Sequence, residues 1–236
     1  GMERLRREIE RARNCFMSWF PPQVRINEVS VVRIFNDRDE YTRYVGGEME
    51  WTGGVWQPAR RELVISPLSW DASEERQREA IAKIAFHEGF HQYLHYASGE
   101  LHFPLWFNEG CAEFFEGIEF RGATGLVGLP DPLKRRLARL FAFKKKYDLD
   151  ELIRMNREQF YNRETRDRNY LLANALVYYL LKGAPANGQK EYAGIMSRYY
   201  LTFSKTRNPE TAQKAAFGTV DLKRLSADLT AFWNDE

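Results

Sequence analysis

The chain has 236 residues, enough for one large domain or two lobes that share a core. Hydrophobic residues make up 44% and charged residues 29%, values of an ordinary globular protein and not of a disordered or membrane one. A net charge of +2 gives no field to gather nucleic acid or anionic lipid, and no apolar run approaches the roughly 18 residues that span a bilayer.

Residues 3–18 carry the apolar spacing of an amphipathic helix that stops at Pro21-Pro22. Val29 to Phe35 is rich in β-branched residues and is expected to be a strand. A short helix is expected from Asp37 to Tyr44. Residues 48–66 look like a strand pair punctuated by Gly53-Gly54, with Glu62-Leu63-Val64-Ile65 as its strongest part. From Glu74 the pattern turns helical, over 74–98, 104–118, 131–146, 166–182, 188–204 and 221–234. Loops are expected at Gly122–Pro132 and Lys182–Gly188. Two basic clusters, Lys134–Arg136 and Lys144–Lys146, are read as solvated helix faces. No internal repeat interrupts the pattern.

Strands come first and helices follow, so the fold class is α+β. A small N-terminal β-sheet precedes a mainly helical C-terminal lobe. The organisation expected is a single domain over 1–236 in two lobes, about 20–103 and about 104–236. Cys15 and Cys111 lie far apart and are read as separate thiols, which leaves the compartment open. The charged start shows no signal peptide, and Gly1 before Met2 looks like a cloning remnant. The chain is therefore expected to be soluble, cytoplasmic as it stands or exported if a leader was removed.

All four histidines, His87, His91, His95 and His102, crowd into one stretch. His87-Glu88-Gly89-Phe90-His91 is an H-E-x-x-H string inside a helical, apolar segment. Positions i and i+4 share a helix face, so two imidazoles can converge on one cation. Glu88 sits about 100° further round the helix, where its carboxylate can reach a water without ligating the metal. The segment Trp106 to Glu116 reads as a second helix. Its carboxylates Glu109, Glu113 and Glu116 share one face, beside apolar Phe107, Phe114 and Phe115. Three carboxylates on an inner face are costly unless a metal or a histidine compensates them.

The pair of strings, H-E-x-x-H and then Asn108-Glu109-Gly110-Cys111-Ala112-Glu113-Phe114-Phe115-Glu116, resembles the gluzincin superfamily of zinc metallopeptidases. That superfamily includes thermolysin and aminopeptidase N, and the likeness is nearest to its compact bacterial peptidase MA-like domains. The resemblance implies a thermolysin-like catalytic domain with an edge strand over the site. It implies zinc held by His87, His91 and Glu109, with Glu88 as general base. It also implies that Glu113 orients His87 through the imidazole nitrogen turned away from the metal, and that Asn108 acts similarly toward His91. Tyr170-Leu171-Leu172-Ala173-Asn174-Ala175-Leu176 resembles the tyrosine-bearing helix of the aminopeptidase N group, which makes Tyr170 the expected oxyanion donor.

Gly47-Glu48-Met49-Glu50 faintly resembles the aminopeptidase G-x-M-E-N string, with Trp51 where asparagine is expected. An amine-anchoring role for Glu50 rests on that likeness alone. Gly53 to Ile65 resembles the edge-strand region along which a substrate backbone adds. His95, one turn past His91, is expected beside the site or at the surface, and His102 in a loop. The activity implied is peptide-bond hydrolysis by a Glu88-activated, metal-bound water, on a peptide or protein substrate, with no nucleic-acid partner and no stable membrane insertion. The same three ligands suit non-haem iron, and the glutamate inside the string tips the balance to zinc. The alternative is a peptidase-like fold whose metal serves binding or scaffolding.

Overall fold

The computed structural model describes residues 2–66, 73–122, 124–142 and 147–235. It is mixed α and β, mostly helical with two small sheets. The chain separates into two compact units. One takes Gly1–Glu100 and Phe115–Val127, the other Leu101–Phe114 and Gly128–Glu236.

The first unit opens with helix α1, Met2–Trp19. Strand β1 is Val31–Ile34 and helix α2 is Arg38–Val45, capped where Asp37 accepts from the Glu40 N–H. Strands β2, Gly54–Gln57, and β3, Glu62–Ile65, follow. The strand order is β1-β3-β2, with β1 parallel and β2 antiparallel to β3. Strand β3 is buried at all four positions, as a central strand must be, and β2 ends the sheet among the described residues.

Helix α3, Glu74–Ala97, is the spine of this unit. Ser73 caps its start by accepting from the Arg76 N–H. Its end is closed by two reversed bonds, Gly99 N–H to Tyr96 O at 3.2 Å and Glu100 N–H to His95 O at 2.7 Å. Gly99 takes φ 73° there, a conformation that favours glycine. One side of α3 packs on α1 through Phe16 and Phe90, whose ring centroids are 5.5 Å apart. Leu63, Ile65, Trp56, Ala85 and Tyr96 join the cluster that seats α3 on the sheet.

A hairpin completes this unit: β4, Ile118–Arg121, pairs antiparallel with β5, Thr124–Val127. The sequence reading has helix to 118 and then loop. Two-residue alternation in Ile118-Glu119-Phe120-Arg121 and a left-handed Gly122, φ 58°, explain the difference. Phe120 packs edge-on against Phe86 at 5.9 Å.

In the second unit, helix α4, Leu105–Phe115, runs up to the boundary with its last residue. The helices α5, Asp131–Ala142, α6, Leu149–Arg154, and α7, Arg157–Phe160, follow. The expected continuation of α5 to 146, with the Lys144–Lys146 cluster, lies outside the described residues. Helix α8, Arg166–Tyr178, passes into one π-helical stretch, Tyr179–Gly183, and then the short α9, Ala184–Ala186. A loop is expected there from glycine and proline. Pro185 instead sits in a first helical turn, where its missing N–H costs nothing. Helices α10, Ile195–Thr206, α11, Pro209–Phe217, and α12, Leu222–Asp235, end the unit. Helices α6, α7 and α11 are short and go unseen in the apolar periodicity.

The core of this unit is aromatic. Trp106 meets Tyr199 at 5.2 Å, and Phe107 stacks on Tyr199 at 5.5 Å. Asn169, only 3% exposed, donates its amide to the Phe160 carbonyl at 3.0 Å and the Gln159 carbonyl at 3.3 Å. This ties the end of α7 to α8. Asn169→Ala is expected to cost about 1–3 kcal/mol, because two carbonyls lose their donor in the interior. A shift of the urea midpoint reads it directly, and an unchanged midpoint contradicts the tie.

No helix among the described residues is long and apolar enough to cross a membrane. Cys15 and Cys111 are both buried thiols, not joined to each other. Burial pushes the Cys111 thiol well above its ordinary pKa, so it is inert as a nucleophile.

Candidate metal centre

Helix α3 places His87 and His91 one turn apart, with ring centroids 4.8 Å from one another and the planes 81° apart. Both are half-buried. The next ridge of the helix carries Glu88, 8% exposed. Its Oε2 accepts from the backbone N–H of Trp56 on β2 at 2.7 Å. The end strand therefore lies directly over this carboxylate. Gly54 makes the approach possible: a Cβ there would fall 2.5 Å from Ile84 Cγ2 and 3.1 Å from Glu88 Cγ.

Helix α4 carries Glu109, 5% exposed, and Gly110 beside it. Gly110 lets α4 close on α8. A Cβ at that position would fall 2.7 Å from the Ala173 carbonyl oxygen and 2.8 Å from Val177 Cγ2. Glu109 Oε1 accepts from the Tyr161 hydroxyl at 2.5 Å. Burial first, then the Glu109 charge, pushes the Tyr161 phenol far above its ordinary pKa, while a hydrogen bond from Tyr170 opposes the rise. The phenol therefore stays protonated. The Tyr161 and Tyr170 rings are 6.2 Å apart.

Two groups of donors that can hold a metal ion occur among the described residues. His87, His91 and Glu109 form the first, with donor atoms all within 4.8 Å of one another. His87, Glu113 and Glu116 form the second, by the same measure. A tetrahedral ion with bonds of about 2.1 Å spaces its donors by roughly 3.4 Å. Two imidazoles and one carboxylate are a borderline-soft set that fits zinc. The second group shares His87 and explains its orientation. His87 Nδ1 lies 2.7 Å from Glu116 Oε1. A carboxylate only accepts, so Nδ1 carries the proton and Nε2 is the nitrogen turned to a metal.

Several expected residues stand differently. The carboxylate bonded to His87 Nδ1 is Glu116, whereas the family likeness offers Glu113. Glu113 stays in the donor group with it. Asn108 is half-buried on the same turn as Glu109. Glu50 follows a 3-10 turn, Gly47–Met49, with an exposed side chain, and belongs to neither donor group. His95 packs beside Trp56, ring centroids 6.1 Å apart, and its Nε2 is 3.9 Å from Glu100 Oε1. His102 is exposed. Tyr161 carries no motif signal: only the folding of α7 onto α8 brings it to Glu109.

Residues 79–198 match the model of a family described as Protein of unknown function (DUF1570). That stretch holds both histidines of the string, Glu88, Glu109, Tyr161 and Tyr170. No curated protein matches the chain.

Proposed function

The chain belongs to the DUF1570 family, and from that premise we propose that it is a zinc-dependent metallopeptidase of the gluzincin kind, with a thermolysin-like catalytic domain. One observation carries the reading: the donors of His87, His91 and Glu109 converge, while Glu88, next to His87 in the chain, stays outside the group. A structural site closes all its positions with protein ligands, whereas three ligands leave a position for chemistry.

Zinc, when bound, supplies Lewis-acid polarisation and makes a water acidic near neutral pH. The chain's own residues do the rest. Glu88 takes the proton of the attacking water and hands it to the leaving amine. Its Oε2 accepts from the Trp56 N–H, which orients the carboxylate. Glu116 holds His87 in one tautomer. Tyr170, whose single hydroxyl proton is directed at Tyr161 before substrate arrives, turns it to the carbonyl oxygen as charge develops there. Strand β2, which ends its sheet among the described residues, offers the substrate backbone a line to lie along beside the Trp56 amide, which Glu88 holds.

Metal content and digestion of a peptide library on one sample test the proposal. The expected result is about one zinc per chain, cleavage abolished by a chelator and restored by zinc. Protein without zinc, unchanged in melting temperature by chelator, would sink it. Zinc with no cleavage of any peptide favours the binding or scaffolding alternative. Glu116→Gln is expected to weaken zinc retention about tenfold, since the partner of a ligating histidine sets its orientation and basicity. Competition with a chromophoric chelator measures this, and wild-type retention would return the role to Glu113.

A further inference from the structure

Tyr161 touches the site and the functional reading above does not use it. Its surroundings are built to hold it still. Asn156 and Gln159 cap α7 reciprocally, each side chain bonded to the other's backbone N–H at 2.9 Å. Asn169 anchors the Phe160 carbonyl one residue before the tyrosine. The Arg157 guanidinium lies over the ring, 4.9 Å from its centroid. Phe160 and Tyr170 flank it, with Phe160 edge-on at 5.5 Å. Such fixation is more than a packing tyrosine needs. It aims one hydroxyl at one oxygen, Glu109 Oε1.

We infer that Tyr161 is a positioning residue for the third metal ligand, holding Glu109 Oε1 so that the carboxylate offers a metal a single oxygen. The inference rests on the metal reading proposed above. The physical argument is short. A carboxylate free to rotate can chelate through both oxygens, which raises the coordination number and occupies the open position. A phenol donor on one oxygen opposes that rotation and leaves Oε2, itself buried, as the better donor to the ion. Tyr170 extends the device. Its hydroxyl donates to Tyr161, so donors run in line from Tyr170 through Tyr161 to Glu109. Tyr170 has one hydroxyl proton, so it leaves this line when it turns to a substrate oxygen.

Zinc affinity and the visible spectrum of the cobalt-loaded protein, measured on wild type and Tyr161→Phe, test this without reference to catalysis. The variant is expected to bind zinc about 10–100-fold more weakly. Its cobalt bands should also weaken, as a four-coordinate set becomes five-coordinate. Far-UV circular dichroism of the metal-free variant checks its fold. Should Tyr161→Phe not fold, Arg157→Ala decides. It changes an exposed residue and only loosens the ring, so a rise of about threefold in the zinc dissociation constant is expected. Wild-type affinity and an unaltered cobalt spectrum in Tyr161→Phe overturn the inference alone, as does an unchanged constant in Arg157→Ala where that variant decides. A wild-type chain that takes up neither ion overturns the metal reading and this inference together.

Discussion

Glu88→Gln is expected to lower peptide cleavage by about 10²–10⁴-fold while zinc content stays at the wild-type level. The choice of glutamine follows from the Trp56 bond. Glu88 is 8% exposed and accepts a backbone N–H at 2.7 Å. Glutamine keeps an acceptor oxygen there, so β2 stays seated on α3. What it loses is the ability to take a proton. Alanine would be a worse probe: it strands the Trp56 N–H in the interior, at about 1–3 kcal/mol, and mixes folding with chemistry. Glu88 is outside the donor group, so the metal has no reason to leave. Cleavage equal to wild type by Glu88→Gln would remove the base from the proposed reaction.

Gly110→Ala is the second large effect, and its sign runs against propensity. Inside a helix the exchange ordinarily stabilises by about 1 kcal/mol. Here the new methyl would lie 2.7 Å from the Ala173 carbonyl oxygen and 2.9 Å from its carbon. Both are backbone atoms in the middle of α8, which cannot turn aside as a side chain can. The expected outcome is a loss of about 1–3 kcal/mol. For a chain of this size that is roughly 2–4 °C of melting temperature per kcal/mol. Zinc retention should fall as well, since Glu109 is the preceding residue and must move with α4. A higher melting temperature would show that α4 and α8 do not approach so closely.

How much of this was legible beforehand follows from the range of each interaction. The His87 and His91 pair is a consequence of helical repeat, and the segment is helical because Ser73 starts it and Gly99 stops it. Those are local facts. The Glu62 to Ile65 strand and the Asp37 cap are local too. The β4–β5 hairpin was hidden because Ile118 and Phe120 continue the apolar run of α4, and only pairing with Thr124–Val127 decides for a strand. Glu116 stood on the correct face, but which carboxylate meets His87 depends on where α4 ends, at Phe115. Tyr161 was invisible. Fifty-two positions separate it from Glu109, and the short helix that aims it depends on Asn169 in α8.

The bond from the Trp56 N–H to Glu88 has a further consequence for handling the protein. A strand that ends a sheet is a template on which another chain can grow, and β2 joins Val55 and Trp56 to a glycine. A continuous ladder needs every outward amide available. With the Trp56 amide committed to a buried carboxylate, a second copy meets a gap in that ladder and gains less from adding itself. The side chain proposed to cut peptides thus also discourages fibrils.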